Sequence, residues 1–380
     1  MLKKVVRLGI YLIVFSLPLY LIRFKIGWVP FNLSEILIYI VFILWLISRP
    51  KLREIFKEKK LFYPVLTLFL GLTISTLFSA DLFVSAGIWK GWFLAPLLLF
   101  LVVISILENR RQVRNIIISL ALSGLVVALI SLYYWFSGNL TYDGRLRGFY
   151  LSANFLAMYL SPILILSLYL YSLAKSRIQK LSLAIGYWLM AATIYLTCSY
   201  GAFLGLLAAC IFLSFSRRKI IFLLLPVLFV FILLFPTDKF QGFLDFSYPS
   251  IESRLVIWKS AWEILKDHPL VGVGPGMFQK YYLDYQPRFD PYPEWAAPQP
   301  HNLFLALWLQ TGLIGLIGFI WLLVVFFKKN KPNLLGLTLA ATMICILVHG
   351  LIDTTYWKND LAVVFWLITA LMNKAYHLPD

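Results

Sequence analysis

The chain has 380 residues, of which 61% are hydrophobic and only 13% charged, with a formal net charge of +17. A soluble domain is about half apolar and about a quarter charged, so a conventional water-facing exterior is excluded. The positive charge does not point to nucleic acid, because most basic residues sit in short clusters between apolar runs, where they report membrane topology.

A helix needs about 20 apolar residues to cross the hydrocarbon core. Twelve stretches qualify as candidate spans: 8–24, 31–48, 62–79, 88–107, 115–136, 150–173, 181–199, 201–215, 220–236, 302–327, 333–352 and 361–373. The first follows Lys3, Lys4 and Arg7, has no small-residue cleavage site and is followed at once by further apolar runs. It therefore reads as a span and not as a cleaved leader. With the N-terminus inside, the inner segments hold 22 of the 34 basic residues, so both termini are expected in the cytoplasm. Glu35 and Asp81 fall near span edges, where solvation accounts for them. Cys198, Cys210 and Cys345 lie in apolar runs without metal spacing or a disulfide framework, as small buried helix residues do.

Residues 1–380 read as one polytopic membrane domain, all-α, with about twelve transmembrane helices. Between spans nine and ten lies a long outer-face loop, 237–300, which carries short helices. Leu255, Ile257, Trp258, Ala261, Trp262, Ile264 and Leu265 give residues 252–268 the spacing of an amphipathic helix. His268-Pro269 closes it, and Gly272, Gly274, Pro275 and Gly276 form a turn. The loop's many aromatics either stack on sugar faces or form an interfacial belt and a small core.

The strongest chemical signal is His301-Asn302, then nine residues, then Gly312-Leu313-Ile314-Gly315. His301 stands where the outer loop becomes a membrane helix, partly dry yet reachable, as a general base requires. Gly312 and Gly315, a turn apart, would admit a close neighbouring helix. His349 and Asp353, four apart near the outer end of the eleventh span, would share a helical face as a functional or a structural pair. No Asp-x-Asp pair occurs, which argues against a metal-dependent nucleotide-sugar enzyme, and Gly272-x-Gly274-x-Gly276 lacks the Lys-Ser/Thr of a phosphate loop.

His301-Asn302-x9-Gly312-x2-Gly315 resembles the histidine motif of the O-antigen ligase family, shared with O-antigen polymerases and some bacterial protein O-oligosaccharyltransferases. Arg254-Leu255-Val256-Ile257-Trp258 with His268-Pro269-Leu270-x-Gly272-x-Gly274, and Arg147-Gly148-Phe149 with Asn154, extend the likeness over the chain. One step departs: many members carry Ser-Arg-Gly near the outer end of the seventh span, where this chain has Ser199-Tyr200-Gly201. The resemblance implies an inverting, metal-independent glycosyltransferase without a cofactor, in the bacterial inner membrane with its site facing the periplasm. Its donor would be a glycan on undecaprenyl pyrophosphate and its acceptor lipid A core. The polymerase alternative joins the glycan to another lipid-linked glycan, and the oligosaccharyltransferase alternative to a protein. A transporter or flippase is the reading from another class, disfavoured by polar residues gathered at the outer edge and by the lack of a repeat. In the ligase reading His301 is the base. Arg254 and Arg147 hold the pyrophosphate, with Arg145 and Arg288 as further candidates and Lys90 and Lys239 behind them. Asn302, Tyr200, His349 and Asp353 support the site.

Overall fold

The computed structural model describes residues 1–50, 59–216, 249–289 and 294–378. Helices lie on every candidate span except 220–236, which falls outside the described residues, as does Lys239. In chain order they are α1 (Leu2–Phe15), α2 (Leu33–Ile47), α3 (Lys59–Leu77), α4 (Leu82–Ile106, with a π turn at Trp89–Leu94), α5 (Arg110–Phe136), α6 (Ala153–Leu173), α7 (Arg177–Leu196), α8 (Tyr200–Ser216), α9 (Pro249–Asp267), α10 (Phe278–Tyr285), α11 (Leu303–Lys328), α12 (Leu334–His349) and α13 (Asn359–His377). Among the described residues α3, α4, α5, α6 and α11 are long and apolar enough to cross a bilayer, and α2, α8 and α12 are shorter apolar helices. This is a multi-pass membrane protein.

Packing inverts the pattern of a soluble bundle. On α3, α5 and α11 large apolar side chains such as Leu66, Leu70, Leu122, Leu129, Ile317 and Ile320 are exposed, as lipid-facing positions are. The apolar side chains of α6 are buried nearly all round, the mark of a helix enclosed by its neighbours. The close approach expected at the glycine pair is real at one of its two members. Gly315 and Gly318 of α11 meet α3 so tightly that a Cβ on Gly71 would lie 2.1 Å from the Gly315 amide nitrogen. Gly312 serves differently. Its φ of 70° breaks α11, and the outer loop enters the break: Leu313 N–H donates to Leu270 O at 2.9 Å and Val273 N–H to Leu309 O at 2.6 Å. Gln310, fully buried beside the break, accepts from the Gly276 amide and from Trp357 Nε1, and donates to Gln299.

Two expectations at the outer edge give way. The run 8–24 is not one helix. After α1, Pro18 starts a 3-10 turn over Leu17–Leu21, and a hairpin follows, β1 (Arg23–Ile26) antiparallel to β2 (Val29–Asn32). Glu35 is not solvated either. It is 3% exposed and pairs with Lys90 at 2.6 Å, while Lys90 also donates to Pro30 O, so that lysine is engaged away from the cleft described below. Asp81 caps α4, accepting from the amides of Phe83 and Val84.

The outer loop shares a small core with the first turns of α11: Ile257, Ile264, Val273, Phe278, Tyr282 and Leu309 pack together, with Trp258, Tyr281 and Trp308 against them. Most of its described aromatics therefore have a packing role. Reporter fusions after Lys60, Lys180 or Lys331 are expected to report cytoplasm, and one within 280–295 the opposite side. An inner-side signal from the 280–295 fusion would place the cleft in the wrong compartment for a lipid-linked donor.

Candidate active site

The site is assembled where the outer loop meets the start of α11. Asn302 caps that helix, accepting from the amides of Phe304 and Leu305, and its Nδ2 donates to Leu351 O at 2.8 Å. Leu303 N–H donates to Gly350 O at 2.7 Å, so the turn after α12 is sewn to the first turn of α11. His301, just before the cap, has φ +44°, a conformation uncommon outside glycine. It brings the imidazole to the 350–355 turn, where Nδ1 lies 3.1 Å from Asp353 Oδ1.

Asp353 is 3% exposed and fully bonded. Oδ1 also accepts from the Thr354 amide at 2.9 Å, and Oδ2 accepts from Asn154 Nδ2 at 2.8 Å. Burial alone would push this carboxyl up. The hydrogen bond from His301, with the charges of His301 and Arg254, outweighs burial and holds the group well below the usual carboxylate range. A carboxylate only accepts hydrogen bonds, so Nδ1 carries the proton shared with Asp353, and whenever the imidazole is neutral Nε2 keeps its lone pair. The His301 side chain is 24% exposed and lines an open cleft, so that lone pair is accessible.

The cleft has a volume of about 900 Å³ and is lined by Arg145, Arg147, Asn154, Ser253, Arg254 and His301, among others. A recess of about 70 Å³ adjoins it, lined by Tyr200, Gly201 and Asp353 and sharing Arg145, Asn154 and Arg254. Arg254 projects from α9 and its Nε donates to Ile352 O at 3.0 Å. Trp258, one turn further along, donates from Nε1 to His301 O. Arg145 donates from Nε to Thr197 O at 2.7 Å and from Nη2 to Asn154 Oδ1. Arg145, Asn154, Asp353 and His301 thus form one hydrogen-bonded chain across three separate segments. Arg147 Nε is buried without a hydrogen-bond partner among the described residues. Tyr200 sits beside Arg145 and Arg254 in the recess, so two guanidinium groups border the position where the family pattern has arginine.

Two candidates are placed elsewhere. Arg288 lies in a 3-10 turn (Gln286–Phe289) with its guanidinium over the Tyr285 ring, 4.3 Å from the centroid, and does not line the cleft. The His349 ring makes no hydrogen bond to the Asp353 carboxylate, although the Asp353 N–H donates to His349 O at 3.1 Å. α12 ends at His349, so the two residues do not share a helix, and the carboxylate turns to His301 and Asn154. The His349 ring is buried against Gly201, where a Cβ would come within 2.3 Å of its Cδ2. Among the described residues no three His, Cys, Asp or Glu side chains gather as a metal-ligating group.

Residues 185–320 match the family model of O-antigen ligase. No curated protein matches the chain. The matched segment runs from within α7 into α11 and takes in Tyr200, Arg254, His301 and Asn302, while Arg145, Arg147 and Asn154 of the cleft and Asp353 of the recess lie outside it. Through that segment, just over a third of its length, the chain is similar to the O-antigen ligase family.

Proposed function

We propose that this protein moves a glycan from undecaprenyl pyrophosphate to an acceptor hydroxyl at the outer face of the bacterial inner membrane, as an inverting glycosyltransferase with lipid A core as acceptor. The observation that carries the reading is the His301–Asp353 pair at the edge of an arginine-lined cleft. Nε2 of His301 takes the acceptor's proton as its oxygen attacks sugar C1. The bond from C1 to the pyrophosphate oxygen breaks, and both electrons leave with the pyrophosphate. Arg254, Arg147 and Arg145 neutralise the charge that grows on it. One displacement with no enzyme nucleophile inverts the anomeric centre. Arginine charge fills the role that a metal ion plays in other phosphate-leaving-group enzymes, so chelators are expected to leave the rate unchanged.

The test is reconstitution of the full chain with lipid-linked glycan and a choice of acceptors, followed by product sizing. Addition of one discrete glycan to lipid A core supports the reading. A ladder of lengthening lipid-linked glycan would identify a polymerase, and no transfer to any acceptor would overturn the proposal.

Within this reading Arg254→Ala is expected to lose about 10²–10³-fold in turnover, and Arg254→Lys less, because lysine keeps the charge but not the fork of donors. Thermal unfolding in detergent checks that both variants fold. Wild-type turnover by Arg254→Ala would move the phosphate contact to Arg145 and Arg147.

A further inference from the structure

A second concavity lies far from the cleft. A groove of about 560 Å³ runs between α5, α6 and α7. α6 enters the catalytic cleft at Asn154 and lines this groove from Ser167 onward, about 20 Å further along its axis. α5 contributes Arg114, Leu122 and Leu125, α6 contributes Leu170, and α7 contributes Tyr187 and Met190. The walls are apolar, and Arg114 is the one charged residue among the lining side chains.

Three observations define what would fit. First, Arg114 to Leu125 covers eleven helical steps, about 16 Å, half of a hydrocarbon core of about 30 Å. The groove is therefore as long as one leaflet's acyl chain. Second, its mouth is cationic. Lys175, Arg177 and Lys180, all exposed, flank the α6–α7 turn at the same end as Arg114, and no carboxylate lines the groove. Third, two polar atoms of the lining residues are buried without a partner among the described residues: Nε of Arg114 and the hydroxyl of Tyr187, a residue 7% exposed. An unpartnered buried donor costs free energy, and a phosphate oxygen at the mouth relieves that cost at Arg114.

We propose that this groove is a binding site for an anionic phospholipid of the inner leaflet, with the phosphate on Arg114 and one acyl chain between α5 and α7. The site stands on the inside-positive topology and is independent of the transfer chemistry. The reporter fusions described above test that topology separately.

The experiment is native mass spectrometry of the full chain released from nanodiscs of mixed phosphatidylglycerol and phosphatidylcholine. Wild type is expected to carry one phosphatidylglycerol. Arg114→Gln is expected to lower its retention about tenfold and leave phosphatidylcholine retention unchanged, as loss of one charge-assisted contact would. Ala184→Phe, which fills the groove from α7, is expected to strip both lipids. Both variants should keep wild-type glycan transfer, since neither residue touches the cleft. Excess inorganic phosphate should displace nothing if the acyl chain supplies the affinity. Equal retention of the two lipids by wild type and Arg114→Gln overturns the proposal. So do displacement by phosphate alone, unchanged retention in Ala184→Phe, and release of a lipid-free dimer, which would mean that a second copy covers the groove.

Discussion

A His301→Gln variant is expected to bind the lipid-linked donor as wild type does and to lose turnover by about 10²–10⁴-fold, the usual contribution of a positioned base. Glutamine is close in reach and can still hydrogen-bond the acceptor hydroxyl, but its amide takes no proton at neutral pH. Donor affinity should survive because the pyrophosphate contacts are assigned to Arg254, Arg145 and Arg147, which lie along the cleft and not on the imidazole. Single-turnover kinetics with a labelled donor, set beside equilibrium donor binding, separate the two quantities. Near-normal turnover would sink the base assignment and reduce His301 to an orienting group. A parallel fall in donor affinity would place the imidazole on the phosphate instead.

Asp353→Asn should cost about 10²-fold or more in turnover with little change in the donor KM, because it changes which ring nitrogen carries the proton. The Asp353 carboxylate accepts on both oxygens, from His301 and the Thr354 amide on one and from Asn154 on the other. An asparagine there can keep the Asn154 bond only by turning its NH₂ toward His301. Nδ1 must then accept, the imidazole proton moves to Nε2, and the lone pair needed for the acceptor is gone. Turning the amide the other way sets NH₂ against NH₂ at Asn154. The same carboxyl also ties stability to pH. Its folded pKa lies below its unfolded value near 3.9, so its stabilising contribution is complete above about pH 4 and fades as pH falls toward the folded value. The difference in melting temperature between wild type and Asp353→Asn should therefore be flat from pH 7 to about 5 and narrow by about pH 3. A difference that stays constant to pH 3 would show that the carboxyl is not held down.

Which parts of this molecule are legible in its sequence follows from what each signal encodes. Apolar run length reports helices that must lie in lipid, so α3 to α7 and α11 are recognisable within a few residues. The β1–β2 hairpin was not, because it falls in the gap between two candidate spans and its four-residue strands are too short for their alternation to stand out. Arg254 and Trp258 are four apart on one amphipathic helix, so that they share a face follows from spacing, while the carbonyls they reach, Ile352 O and His301 O, do not. The partner of His301 did not follow in that way. Helical spacing assigned Asp353 to His349, and the two do share a main-chain bond, but α12 stops at His349 and the carboxylate turns away to His301 and Asn154. Asn154 was visible only as a residue opening α6. Its bridge from Arg145 to Asp353 joins segments about 200 residues apart, and nothing local announces it. Arg288 shows the opposite failure: charge type alone nominated it, and a neighbouring tyrosine ring claimed it.

The broken ladder at Gly312 has a mechanical consequence. Main-chain bonds from Leu270 and Val273 are threaded into α11 only a few turns from His301, so this stretch of the outer loop is fastened to the same rod that carries the base. Two main-chain bonds hold it there. The facing rim, the stretch from Leu140 to Ala153, is tied down through Leu146 N–H to Leu196 O and through Arg145 to Thr197 O, but it carries Tyr142 fully exposed at its tip. One rim is bonded into a helix, and the other ends in an exposed tip at Tyr142. Inserting or exchanging residues around Tyr142 should therefore retune which acceptors enter while the proton-transfer apparatus keeps its alignment.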